Sequence, residues 1–141
     1  MRTIRIALAA AVLAVGVTGC GGDPEAEIQQ VFQGYHAAAL ARDFPAACAY
    51  NSPEATEQLL ASVATQGIRA GTCEQALEAI YAQSGAADTA DAISRSARIG
   101  AIRVDGDQAT VSWTATLDGQ DAPTTSALRR IDGEWKLAVV S

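Results

Sequence analysis

Hydrophobic periodicity divides this chain into a helical half and a strand half. Up to about residue 96, apolar side chains recur every three or four positions, as Ile28, Phe32 and Tyr35 do, which is the spacing of an amphipathic helix. Asp23 followed by Pro24 is typical of a helix start. The pattern therefore predicts a first helix that runs to about Arg42.

Three more helical segments are predicted before the period changes. A short helical turn covers about residues 45–50, and Ser52-Pro53 starts a longer helix. Thr72 and Gln75 are spaced as a capping box, with the helix following them. Residues 85–94 are small and polar, so we expect a loop there with partial helix.

After residue 96 apolar and polar positions alternate, as in Ala109, Val111 and Trp113, which predicts half-buried strands. Asp105-Gly106 and Asp132-Gly133 are hairpin dipeptides, whereas a longer turn is expected from residue 118 to near Pro123. The four predicted strands are about 97–104, 108–118, 124–131 and 134–140, the third alternating poorly. Helices followed by an antiparallel meander predict the α+β class, with N-terminal helices packed on a curved antiparallel sheet of about four strands.

The first nineteen residues carry a targeting pattern. Arg2 and Arg5 precede an apolar run over residues 6–15, about half of the roughly 20 residues that a membrane span needs. A basic start, a short apolar segment and small residues are typical of an export signal. Val17-Thr18-Gly19-Cys20 resembles the lipobox of bacterial lipoproteins.

That resemblance implies that Cys20 becomes the mature N-terminus and carries acyl chains such as palmitate. It implies a protein anchored on the extracytoplasmic face of the cell membrane, in the cell envelope. The expected organisation is a signal peptide at 1–19, a lipidated tether at 20–24 and one α+β domain at 25–141. Ordinary secretion with a free Cys20 is the alternative.

Charge limits the partners of the mature chain. Without residues 1–19 it has 122 residues, enough for one core, and eight basic against sixteen acidic residues, a net charge of −8. Such a surface is a poor partner for nucleic acid or anionic lipid, so we expect no nucleic-acid partner and membrane contact through the anchor. The acidic residues concentrate between 23 and 91, which either holds the domain off the bilayer or is a plain solvated surface.

Two further cysteines, Cys48 and Cys73, are expected to pair in an oxidising compartment. A buried inert pair or a reactive thiol is the alternative. The sequence has no C-x-x-C motif and only one histidine, so neither a metal nor a cofactor is predicted.

Three features together resemble the nuclear transport factor two-like superfamily, also called the ketosteroid isomerase or cone fold. They are the aromatic first helix, the break at Asp43-Phe44-Pro45, and the hairpin Asp132-Gly133-Glu134-Trp135-Lys136. The resemblance implies a curved sheet wrapped around the first helix with a conical cavity. Isomerases of this fold use an aspartate base, which Asp43 could supply, although a helix cap is the simpler role for it.

The residues expected at such a cavity are Tyr35, His36 and Trp113. His36 is the sole histidine and lies beside Tyr35, at the predicted border of the buried face of the first helix. Tyr50 and Tyr81 could also orient a polar ligand. Core packing is the alternative role for each aromatic residue, and a single boundary hydrogen bond is the alternative for His36.

No set of catalytic residues stands out, so no catalytic residue is assigned and enzymatic activity stays open. The two resemblances, to a lipoprotein signal and to the cone fold, together imply a non-enzymatic, membrane-anchored module that binds a small apolar ligand or an envelope protein partner. One alternative is an isomerase- or cyclase-type enzyme that uses the cavity. The other is a structural envelope protein that docks on a membrane complex, which a large exposed apolar patch would favour.

Overall fold

A computed structural model describes residues 22–139. The signal segment, Cys20 and the last two residues lie outside this range. Five helices precede four strands: α1 (Pro24–Leu40), α2 (Phe44–Ala49), α3 (Pro53–Thr65), α4 (Cys73–Tyr81), α5 (Ala86–Ser96), β1 (Arg98–Asp105), β2 (Gln108–Leu117), β3 (Gln120–Ile131) and β4 (Glu134–Ala138).

Side-chain caps start the first four helices where the sequence predicts them. Asp23 accepts a hydrogen bond from the backbone N–H of the second residue of α1, and Asp43 accepts from Ala46 N. Ser52 and Thr72 cap α3 and α4 in the same way. Asp43 therefore has the structural role of a helix cap, which satisfies a backbone N–H that the helix leaves free.

The segment at 85–94, expected to be a loop with partial helix, is helical from Ala86 onward as part of α5, so the helical part of that prediction is right and the loop part is wrong. Ile93 is its one large apolar residue, so the sequence carries little hydrophobic signal. The helix forms because α5 packs along β2 and α1, and packing of one face stabilises a helix more than its intrinsic propensity does.

The sheet is an antiparallel meander in the order β1-β2-β3-β4. The predicted long turn after residue 118 is also wrong, because Asp118-Gly119 alone connects β2 to β3. Pro123 lies inside β3 opposite Thr114. It is tolerated there because β4 pairs only with Ala127 to Ile131, so one side of β3 is open at the proline.

One face of the sheet packs against α1. Ile28 and Phe32 from α1 meet Val111, Leu128 and Trp135 from the strands in the main buried cluster. The strand alternation predicted for β2 is confirmed, with Ala109, Val111 and Ala115 buried. The predicted α+β arrangement, helices packed on a four-stranded antiparallel sheet, is confirmed. No helix between residues 22 and 139 is long and apolar enough to cross a membrane.

A disulfide joins Cys48 in α2 to Cys73, the first residue of α4, with Cα atoms 5.9 Å apart. The predicted pairing is confirmed. It lies beside a second buried cluster that contains Phe44, Ala47 and Leu77. The disulfide therefore ties the helices that surround the far end of α1.

The segment between α2 and α3 extends the sheet beyond β4. Leu137 N–H donates to Tyr50 O and Ser52 N–H donates to Leu137 O, both at 2.7 Å. These bonds satisfy the backbone N–H and C=O of Leu137 on the outer edge of β4, which would otherwise be open there. They also place α3 against the end of the sheet where a cavity opens.

Candidate ligand cavity between the helices and the sheet

A cavity of about 370 Å³ lies between α1 and the sheet, with α3, α4 and α5 forming its remaining walls. Helical residues line most of it: Phe32, Tyr35, His36, Ala39, Leu59, Leu77, Ile80, Tyr81, Ala90, Ile93 and Ser94. The sheet contributes Trp113, Ser126 and Leu137. A volume of this size falls in the usual range of small-molecule sites.

The structure brings together the three residues predicted for a cavity, Tyr35, His36 and Trp113. One part of that prediction is wrong, because His36 lies in the middle of the buried face of α1 and is only 8 % exposed. The reason is the spacing of Ile28, Phe32 and His36, which follow one another at four-residue intervals along one face of the helix.

Aromatic rings surround His36. Its ring centroid lies 4.6 Å from that of Phe32, 5.4 Å from that of Trp113 and 5.5 Å from that of Tyr35, all in edge-on arrangements. Ser94 Oγ from α5 lies 3.1 Å from His36 Nδ1. Burial among these groups lowers the pKa of His36, because an apolar environment disfavours the charged imidazolium. The imidazole is therefore neutral at physiological pH.

Trp113 is held by a side-chain hydrogen bond across the sheet. Its indole Nε1–H donates to Ser126 Oγ at 2.9 Å. Ser126 lies on β3 opposite Val111, two positions along from Thr124, the partner of Trp113. The tryptophan is therefore fixed with its ring against Phe32, at a centroid distance of 5.3 Å.

Two tyrosines in the cavity wall are neutral phenols. Burial raises the pKa of Tyr35, and the nearby Tyr81 raises it further. Burial is also the main cause of the raised pKa of Tyr81. Tyr50, by contrast, lines a different groove and is not part of the cavity.

The cavity has no charged lining residue among the residues that the structure describes. Asp43, the carboxylate considered for acid–base chemistry, caps α2 and does not line the cavity. Within residues 22–139 there is also no cluster of three or more His, Cys, Asp or Glu side chains that could hold a metal ion. His36 is thus the ionisable group most suited to proton transfer in this cavity.

Sequence reasoning missed Ser94, Ser126 and the apolar residues of α5 as members of the site. Ser126 carries a weak signal, because it lies two residues before the buried Leu128 and so shares its face of β3. Ser94 carries no such signal, because its segment was not predicted to be a full helix. Its position depends entirely on how α5 packs against α1.

A second, larger groove of about 540 Å³ lies between the start of α1, the end of α2 and the β3–β4 turn. Its walls include the charged residues Glu27, Glu134 and Lys136. Charged walls favour water over an apolar ligand. We therefore take the cavity at His36 as the candidate site.

Two neighbouring arginines of β3 are paired with acidic residues within the chain. Arg129 pairs with Glu54, and Arg130 lies 3.4 Å from Glu27 while its guanidinium stacks over the Trp135 ring at 4.8 Å. Among residues 22–139, Val104 is the one large hydrophobic residue whose side chain is exposed to solvent. A single such residue does not form an apolar docking patch.

No protein-family model matches the sequence, and no curated protein matches it. Among solved structures, an NTF-2-like protein of unknown function from Shewanella oneidensis is similar, with a TM-score of 0.49 and 17 % identity over 82 % of this chain and 94 % of that one. A SEC-C motif containing protein from Rhodopseudomonas palustris is similar with a TM-score of 0.41, 17 % identity and coverage of 82 % and 75 %. At this level of similarity neither neighbour indicates what this chain binds or does.

Proposed function

We propose that this protein is a membrane-anchored, extracytoplasmic binding module whose cavity holds a small, uncharged and largely apolar molecule. The observation that carries the proposal is the cavity itself, about 370 Å³ with an apolar, charge-free lining and one neutral imidazole. An apolar pocket with a few polar groups is the usual form of a small-molecule site.

The anchor rests on the start of the sequence. A basic and apolar segment leads to Val17-Thr18-Gly19-Cys20, and Asp23 already caps α1. Only Gly21 and Gly22 separate the proposed lipidated cysteine from that cap. At about 3.3 Å per residue, this tether would hold the domain close to the bilayer.

The polar groups of the cavity favour a ligand that accepts hydrogen bonds. Among residues 22–139, Ser94 Oγ bonds only to His36 Nδ1. We propose the tautomer in which the Ser94 hydroxyl donates to Nδ1 and Nε2 carries the imidazole proton. Ser126 Oγ accepts from Trp113, which leaves its own hydrogen to donate. A carbonyl or ether oxygen on an apolar body would satisfy these donors.

Three tricyclic probes of nearly the same shape test this function. Fluorenone presents a carbonyl acceptor, carbazole presents an N–H donor, and fluorene presents neither. NMR titration of the ¹⁵N-labelled protein in nanodiscs should show binding at the Trp113 indole N–H, with Trp135 as the internal reference. Fluorenone should bind roughly five- to tenfold more tightly than fluorene, because its carbonyl accepts one neutral hydrogen bond that fluorene cannot make.

Variants separate the two parts of the proposal. His36→Phe should lower fluorenone affinity to that of fluorene, and His36→Gln, which retains a donor, should lower it less. Failure of all three probes to shift Trp113 would refute the binding function. Equal binding of the three would refute only the preference for an acceptor.

An isomerase- or cyclase-type enzyme is a second candidate, favoured by the neutral imidazole of His36 inside an apolar cavity. A neutral imidazole can remove a proton from a bound ligand. Turnover of a ligand identified by native mass spectrometry, abolished in His36→Gln with the fold intact, would support the enzyme. Recovery of that ligand unchanged after prolonged incubation would support the binding module.

A further inference from the structure

Helix α5 forms one wall of the cavity without burying a residue of its own. It contributes Ala90, Ile93 and Ser94 to the lining, yet none of its residues is buried, whereas α1 to α4 each contain at least one buried residue. Buried apolar area is what mainly holds a helix onto a domain. Of the five helices described, α5 is the one with no buried residue, although it packs against β2, α1 and α4.

The two ends of α5 are fastened differently. At its N-terminus, Gly85 adopts a left-handed conformation with φ of 76° and provides no side-chain cap. At its C-terminus, Ser96 Oγ accepts from Thr116 N–H at 2.8 Å and so ties the last turn to β2. This asymmetry permits the N-terminal end to swing while the C-terminal end acts as a hinge.

An ion pair fastens the middle of α5 to the end of α1. Arg42 donates to both carboxylate oxygens of Asp91, at 2.6 and 3.1 Å, and its guanidinium lies 4.5 Å over the ring of Tyr81. The guanidinium lowers the pKa of Asp91. A two-point contact of this kind fixes orientation as well as distance.

The backbone of Arg42 is unusual for an arginine. Its φ is +58°, a left-handed conformation that is common for glycine directly after a helix and uncommon for residues with a Cβ. Glycine would therefore suit the backbone better than arginine does. What arginine supplies at this position is the side chain that reaches Asp91 and Tyr81.

We propose that α5 is the movable wall through which a ligand enters and leaves the cavity, and that the Arg42–Asp91 pair is the clasp that holds it closed. The role in ligand exchange rests on the proposed binding function, whereas the motion of α5 does not.

Amide hydrogen exchange on the full-length protein in nanodiscs tests the clasp without any ligand. Arg42→Gly relieves the left-handed backbone and removes the guanidinium. Exchange across residues 86–96 should accelerate about tenfold, with no acceleration in α1 or β2 and no loss of global stability. Asp91→Asn should act in the same direction without altering the backbone at residue 42.

Arg95→Gln is the matched control, because Arg95 also approaches Asp91, at 3.7 Å, but is 71 % exposed. It should change exchange across α5 by less than twofold. Unchanged exchange across α5 in both Arg42→Gly and Asp91→Asn would overturn the clasp. So would an acceleration spread evenly over the whole domain, because that would mean global destabilisation.

Ligand kinetics complete the test. Fluorenone should dissociate faster from Arg42→Gly by the same factor as α5 exchange accelerates. Faster α5 exchange with no fluorenone binding to the wild type would support the clasp and count against the binding function. Binding with unchanged dissociation rates in the variant would overturn the role of α5 as the entrance.

Discussion

The phenol of Tyr50 lies directly against the backbone of Gly34, at the place where any larger residue would carry its Cβ. A Cβ built on Gly34 would be 2.6 Å from Tyr50 Cζ, closer than van der Waals contact permits. The glycine in the middle of α1 is therefore what allows α2 to end against that helix.

Gly34→Ala should lower the free energy of unfolding by about 1–3 kcal/mol, because the added methyl group forces Tyr50 out of its position. In a Tyr50→Ser background the same substitution should raise stability by about 1 kcal/mol, since alanine favours a helix more than glycine does. Urea unfolding of the four variants measures this change of sign. Destabilisation of equal size in both backgrounds would show that Tyr50 is not the obstacle.

Removing the disulfide should destabilise the domain without dismantling its sheet. Cys48 and Cys73 are 25 residues apart, so a Cys48→Ser, Cys73→Ser protein should lose about 3 kcal/mol of stability in the chain-entropy account. Thermal unfolding with and without reductant provides the measurement. Two freely alkylatable thiols in the untreated protein would contradict the pairing.

Stability should fall as the pH drops through the range of His36. Burial lowers the pKa of this imidazole in the folded protein, whereas in the unfolded chain it is about 6.5. At pH values between these two pKa values, the unfolded state therefore binds more protons than the folded state. Stability is then complete above about pH 6.5, decreases below it, and levels off once the folded imidazole also titrates. His36→Gln removes the group.

Urea midpoints of the wild type and His36→Gln between pH 7.5 and 5 provide the comparison, over a range in which few other groups titrate. The wild type should lose stability over this interval and His36→Gln should lose less. Parallel curves for the two proteins would mean that His36 is not desolvated in solution.

The proposed anchor depends on one sulfur atom. Cys20→Ala should leave the protein unprocessed or release it from membranes, because two or more acyl chains are needed for stable attachment. Membrane fractionation with mass analysis of the mature N-terminus detects both results. The Cys48→Ser, Cys73→Ser protein is the control and should remain anchored. Normal processing and attachment of Cys20→Ala would refute the lipobox interpretation.

Local chemistry explains why much of the fold could be predicted from sequence. Asp23, Asp43, Ser52 and Thr72 each cap a helix within three residues of their own position, so a short window contains both donor and acceptor. The alternation along β2 is equally local. These signals identified four of the five helices and the four strands.

The remaining features depend on contacts between distant parts of the chain. Helix α5 has too few apolar residues for its sequence pattern to predict a full helix. It forms because it packs against β2 and α1. His36 meets Ser94 across 58 residues, and Arg42 meets Asp91 across 49.

By itself the sequence determined where the helices begin, which strand positions face inward, and that Tyr35, His36 and Trp113 are the side chains to examine. Only the tertiary structure decided that His36 is interior rather than at a border, that Ser94 and Ser126 complete the polar part of the cavity, and that α5 forms one of its walls. Caps and alternation arise from interactions within a few residues, which a linear pattern records. A cavity is the space left between elements, and its shape depends on how they pack.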